Sequence, residues 1–334
     1  VSSRIRATSL RTVQKRERRL TMSNQVIRPK DRTEWLKYRE SGIGSSEVAT
    51  IVGLNPWETP YQLWRRKKGL DPAKQENFAM KAGHYLEDAV AQFFRDETGC
   101  EIIKRSAIDW MIINTDKPYM RVSPDRTYWL NDMPHNAHNK GILECKTTQM
   151  SIDPEDLPKH WFCQVQYQLG VAELEQASLA WLCSGREFGY KNLTFVPDFF
   201  KWLCEEVDRF WLDNIEGNKE PDPQNAKDIL LKFNKHTGGK VIETTEEIFQ
   251  AYSDLKDVKT ELAALTERKN ELEEKIKLGF GDAEALSYGG DTIATWKSPK
   301  PSEKFDDKAF KADHPDLFKE YAKTVQGARR FLLK

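Results

Sequence analysis

From Ser45 the chain alternates between stretches of helical and strand-like hydrophobic spacing. "SSEVATIVGL" places apolar residues at helical intervals behind a serine read as the N-cap, and Gly53 closes it. "NPWETP" is a turn, and "YQLWRRKKGL" is a second short helix ending at Gly69. In "ENFAMKAGHYLEDAVAQFFRDETG", Met80, Leu86, Val90, Phe93 and Phe94 form an apolar stripe that predicts a long helix terminated by Gly99. The runs "EIIKRSAI", "WMIINT", "YMRVSPDRTYWL" and "GILECKTT" read as strands, with the polar "NDMPHNAHNKG" a hairpin loop between the last two. "PKHWFCQVQYQLGVAEL" returns to helical period, "ASLAWLC" and "NLTFV" are strands, and "PDFFKWLCEEVDRFWLDNI" is an amphipathic helix. This order predicts an α/β class with a mixed central sheet flanked by helices.

The composition changes at the Pro- and charge-rich "EGNKEPDPQN". Beyond it, Leu255, Val258, Leu262, Leu265, Leu272 and Ile276 alternate by three and four, with Lys269 at one seam position. That is a heptad stripe, expected either to contact a subunit or partner protein or to fold back as an intramolecular hairpin on the domain before it. A small hairpin, a short helix and a terminal "ARRFLLK" follow. The expected organisation is an N-terminal extension over 1–30, an α/β domain over 31–220 and a helical, coiled-coil extension over 221–334.

Charge narrows this picture little, because Lys+Arg and Asp+Glu both number 52 in 334 residues. Only residues 1–21 are strongly basic, and this segment is expected to be disordered. No run of 18 or more apolar residues exists, which argues against a membrane span. Cys100, Cys145, Cys163, Cys183 and Cys204 lie without close pairs, which suits reduced thiols in a cytoplasm and excludes a CxxC zinc site.

The chemistry concentrates in "SPD" at Ser123–Asp125 and "ECK" at Glu144–Lys146, each placed inside an expected strand. Strand side chains alternate, so Glu144 and Lys146 share one face while Cys145 points away. Neighbouring strands of a hairpin can bring Asp125 alongside Glu144. Two carboxylates, with the Cys145 backbone carbonyl, make a hard-oxygen site suited to Mg²⁺, with Mn²⁺ a possible substitute. Lys146 would orient or deprotonate a water there.

In order and spacing, "WLKYRESGIGSSEVATIVGLNPW", "MKAGHYLEDAVAQFF", "SPD", "ECK" and "QVQYQLGV" resemble the YqaJ-type viral recombinase nucleases, relatives of phage lambda exonuclease in the PD-(D/E)XK superfamily. The resemblance implies a restriction-endonuclease-like core and a metal-dependent nuclease acting 5′ to 3′ on duplex DNA ends to leave 3′ single strands. An internally nicking endonuclease, or a catalytically silent DNA-end binding or assembly protein, is the alternative. Carried over position by position, it makes Asp125, Glu144 and Glu87 the metal ligands, with Gln164 facing the site. Arg39 and Ser46, with Ser45 beside it, grip the terminal phosphate. It further implies a ring-like trimer, a single-strand annealing partner and a host cytoplasm. Gly83, one turn before Glu87, would let another chain approach closely. His84 lies beside the site, while His135 and His138 are expected on the surface. Trp57, Trp64 and Trp161 are expected in the core, and Arg65, Arg66, Lys67 and Lys68 either track DNA or are solvated.

Overall fold

The computed structural model describes residues 24–72, 77–103, 110–131, 133–136, 139–324, 327 and 329–333. The basic segment 1–21, residues 104–108 of the first expected strand, and His138 lie outside them. The chain divides into two compact units that meet at Asp228 and Ile229.

The first unit opens with β1 (Asn24–Ile27), α1 (Arg32–Glu40), β2 (Ile43–Gly44), α2 (Ser45–Ile51), α3 (Pro60–Lys67) and α4 (Phe78–Thr98). Asn77 caps α4 through its side chain, and Gly99 ends it in the left-handed conformation at φ 70°. The strands β3 (Ile102–Ile103), β4 (Met111–Asn114), β5 (Met120–Val122), β6 (Arg126–Trp129) and β7 (Lys140–Thr148) follow. Then come α5 (Lys159–Ala172), β8 (Gln176–Cys183), β9 (Glu187–Thr194) and α6 (Pro197–Arg209), which continues as a π-type turn over Phe210–Glu216. α7 (Ala226–Lys232) spans the boundary between the units.

A five-stranded sheet runs in the order β3-β6-β7-β8-β9, antiparallel except for the parallel β7–β8 pair that α5 connects. The sheet is therefore mixed, as expected. Alternation along β7 and β8 sends successive residues to opposite faces. Leu143, Ala180 and Leu182 pack with Val90, Ala91 and Phe94 of α4, while Ile142, Leu179 and Trp181 pack with Trp161, Val165 and Leu169 of α5. Each large side chain so buried contributes roughly 1.5–3 kcal/mol, and these two layers hold the sheet between helices.

A second sheet, β1-β4-β5-β2, was not expected from the sequence. The single run read at "YMRVSPDRTYWL" is two strands in different sheets, β5 in this one and β6 in the other. Ser123–Asp125 is thus the crossing between sheets, not the interior of a strand. The N-cap of α2 is Gly44 instead of a serine, and its N–H donates to Glu47 Oε2 at 2.9 Å. Of the long-helix stripe, Val90 and Phe94 are buried, but Met80, Leu86 and Phe93 are exposed.

The Pro-rich stretch 216–225 is pinned to the first unit. Tyr61 Oη donates to Glu220 Oε1 at 2.9 Å, and Gln62 Nε2 donates to the wholly buried Asp228 at 2.6 Å.

The second unit contains α8 (Glu246–Phe280), the hairpin β10 (Ala285–Tyr288) and β11 (Asp291–Thr295), α9 (Asp307–Asp313) and α10 (Pro315–Tyr321). α8 is one unbroken helix of 35 residues, not a folded-back pair, and its heptad stripe is exposed along its length. Residues 329–333 carry no regular secondary structure, where a helix or strand was expected. No described helix is long and apolar enough to cross a membrane.

Candidate active site

β6 and β7 pair so that Arg126 faces Leu143, and one step further along that register Asp125 meets Glu144. Asp125 is fastened there by backbone: the Cys145 N–H donates to its Oδ2 at 2.8 Å. Its carboxyl is held well above the ordinary carboxylate range, first by burial and then by the charges of Glu144 and Glu87, with Lys146 working the other way.

Glu144 lies on the α5 face of the sheet and is buried. Its Oε1 accepts from Lys146 Nζ at 2.7 Å and Gln164 Nε2 at 2.5 Å, and its Oε2 accepts from Gln168 Nε2 at 2.8 Å. Lys146 Nζ also donates to Gln164 Oε1 at 3.0 Å. Burial works against the Lys146 charge, but Glu144 and Asp125 outweigh it, so the ammonium holds its proton above the usual lysine range. Gln168 Nε2 reaches Ser45 Oγ at 3.3 Å, tying the acid to the first residue of α2.

Glu87 comes from α4 and accepts a hydrogen bond from Arg126. Burial raises its carboxyl above the ordinary range despite the opposing Arg126 charge. Arg126 also donates to the Asp125 carbonyl at 2.5 Å and to Asp88 Oδ1 at 2.7 Å, so it straps α4 to the SPD crossing. Sequence reasoning missed this strap; the adjacency of Arg126 to Asp125 was its one visible sign.

Arg39 Nη2 donates to Ser46 Oγ at 3.0 Å, and its guanidinium lies 5.2 Å from the Trp35 ring centroid. Ser46 is exposed and Ser45 buried. Asp125, Glu144, Cys145, Lys146, Glu87, Gln164, Arg39, Ser45 and Ser46 all line one cavity of about 460 Å³. His84 lines it too.

Other expectations are corrected. In the run Arg65–Lys68, the first three side chains are engaged in ion pairs and are not simply solvated, while Lys68 is exposed. Arg65 binds Asp71, Arg66 bridges Glu47 and Glu58, the buried Lys67 binds Glu47 at 2.8 Å, and Lys68 donates to the Ile215 carbonyl. Trp64 and Trp161 are in the core, but Trp57 is exposed and meets His160 edge-on. A Cβ on Gly83 would sit 3.7 Å from Thr147 Oγ1, an ordinary contact, so close approach does not require this glycine. His135 stacks on Trp129 with centroids 4.6 Å apart.

The donors suit a hard divalent cation that keeps part of its water shell. Asp125 and Glu144 repel each other in a largely buried setting, and a cation between them would relieve that repulsion. Among the described residues, no group of three or more His, Cys, Asp and Glu side chains forms a metal cage. One or two carboxylates completed by water and phosphate oxygens is the arrangement Mg²⁺ favours.

A mixed sheet between helices, with Asp125 at the entry to β6 and Glu144 and Lys146 on the neighbouring β7, defines an α/β protein with an acidic cavity beside its main sheet. The chain belongs to the YqaJ-like viral recombinase domain family, whose model matches residues 34–175. It is 31% identical over 314 residues to the uncharacterized protein YqaJ of Bacillus subtilis strain 168, covering 91% of this chain and 94% of that one. Among solved structures it is similar to an alkaline exonuclease from Laribacter hongkongensis, at 17% identity and TM-score 0.43, covering 56% of this chain and 93% of that one. It is similar also to a phage-related exonuclease from Haemophilus somnus 129PT, at 11% identity and TM-score 0.38, covering 53% and 96%.

Proposed function

We propose that the chain is a divalent-metal-dependent deoxyribonuclease acting on duplex DNA ends, 5′ to 3′, leaving 3′ single strands. The observation that carries the hydrolytic reading is the convergence of Asp125, Glu144 and Lys146 in one cavity whose rim holds Arg39 and Ser46. The preference for ends and the polarity follow from the family resemblance.

In this reading Arg39 and the Ser46 hydroxyl take a phosphate at the start of α2. Asp125 and Glu144 would hold Mg²⁺, with the Cys145 carbonyl beside them; Mn²⁺ would substitute. The bound ion supplies polarisation of the phosphodiester and lowers the cost of forming hydroxide. Lys146 keeps its proton, so it acts as a donor that orients the attacking water and offsets developing negative charge. Gln164, bonded to both Glu144 and Lys146, fixes their spacing. Glu87 keeps Arg126 in place and contributes negative charge to the metal side of the cavity.

The test is a 5′-phosphorylated, end-labelled duplex incubated with Mg²⁺. Wild-type protein is expected to release label, and Asp125→Ala to lose on the order of 10³-fold or more of that rate. Undiminished cleavage by Asp125→Ala or Lys146→Ala would refute the assignment. Covalently closed circular DNA separates the modes, since an end-dependent enzyme leaves it intact.

A further inference from the structure

The exposed face of α8 has a register of its own. Placing Leu255 and Leu262 at heptad position a puts Ile248, Lys269 and Ile276 at a as well. Position d is then Ala251, Val258, Leu265, Leu272 and Gly279. The flanking g positions are acidic in the N-terminal half, Asp254 and Glu261, and basic in the C-terminal half, Arg268 and Lys275. Leu255, Val258, Leu262, Leu265, Leu272 and Ile276 are all more than a third exposed. A 35-residue helix is about 52 Å long, and so long an apolar seam is a liability in water unless it is covered.

We propose that α8 pairs with α8 of a second copy of this chain as an antiparallel two-stranded coiled coil, centred between Ala263 and Ala264. In that register Leu262 meets Leu265 of the second copy, and Leu255 meets Leu272. Lys269 meets Val258, and the small residues Ala251 and Gly279 meet Ile276 and Ile248. Large faces small at both ends, which keeps the seam evenly filled. Glu261 faces Arg268 and Asp254 faces Lys275, each twice by symmetry, so all four g–g contacts formed within α8 are attractive; Glu247, the remaining g position, has its counterpart beyond the helix end.

The parallel arrangement is worse on two counts. It stacks Lys269 directly on its own copy in the seam, and it places glycine on glycine at position 279. A single lysine at an a position is a known means of selecting register and orientation at some cost in stability. Arg268 already bridges Glu271 on its own helix at 3.2 Å, but both side chains are mostly exposed. Such a bridge is weak enough to be exchanged for a partner across the seam.

The experiment is sedimentation equilibrium of the full chain, with far-ultraviolet circular dichroism to monitor helicity. Wild type is expected to self-associate. Glu261→Lys or Arg268→Glu alone should raise the dissociation constant about tenfold, since each sets like charges together at two symmetric places. The double variant E261K/R268E should restore wild-type association, because the pair re-forms with its sense reversed. In a parallel pair Glu261 would face Thr266, so E261K would have no effect and would not rescue R268E; that pattern overturns the proposal. A monomeric wild type, or association indifferent to both single changes, also overturns it. This assignment is independent of the nuclease reading.

Discussion

Glu47 shows how one residue organises the wall behind the Arg39–Ser46 rim of the cavity. It is 3% exposed and is contacted by Lys67, Arg66 and the Gly44 N–H. Burial alone would raise its carboxyl, but Lys67, Arg66 and Arg39 overcome this and hold it down at about 2, against 4.5 when unperturbed. A depressed carboxyl contributes stability that is present above the unfolded value and lost as the folded group protonates. Urea denaturation is therefore expected to show stability falling as pH drops from 4.5 towards about 2. Glu47→Gln should cost about 3–5 kcal/mol at pH 7, with the gap to wild type narrowing at pH 3. Asp125 has the opposite sign. Its raised carboxyl means that ionisation at neutral pH weighs against the metal-free fold. Mg²⁺ is accordingly expected to raise the melting temperature of the wild type, and Asp125→Asn to abolish that increment while melting higher than wild type in chelator. Equal Mg²⁺ responses in the two proteins would count against Asp125 as a ligand.

Helices and longer strands were readable wherever periodicity and a stop residue agreed, as in α4 with Gly99 and β7 with its alternating faces. The two-residue β2 was not: it has no period to detect, and β1 pairs with β4 across nearly 90 residues, which no local pattern records. The candidate site was legible in part for the same reason. Glu144 and Lys146 share a face by simple alternation, whereas Gln168 sat in what read as an ordinary polar helix face. α5 is in fact packed on both sides, with Gln166 and Gln168 fully buried. Gln166 serves the fold, donating to the Thr194 carbonyl and accepting from the Val196 N–H. The fit of α5 against α6 is tight at Gly170, where an added Cβ would come within 2.3 Å of the Phe200 ring. Gly170→Ala should destabilise by about 1–3 kcal/mol from overpacking. Pairing it with Phe200→Leu should recover part of that loss in thermal denaturation.

Across the whole molecule, the two units differ in how they hold together. The first has layered cores on both faces of its main sheet, while the second is organised along one long helix with few buried side chains. Composition marked the change near the Pro-rich stretch, yet that stretch belongs physically to the first unit through Tyr61–Glu220 and Gln62–Asp228. A fragment covering 24–233 is expected to unfold cooperatively and to keep magnesium-dependent cleavage, but to lose the self-association assigned to α8. Circular dichroism, the labelled-duplex assay and sedimentation read these three properties separately.

The SPD crossing carries a consequence for the order of events during folding. Asp125 stands where the backbone leaves β5 in one sheet and enters β6 in the other, so its position is set jointly by both. A chain with either layer unformed cannot present that acid to Glu144. On the proposed function, nascent or damaged copies are expected to be inert, and cleavage to begin only once both sheets have formed.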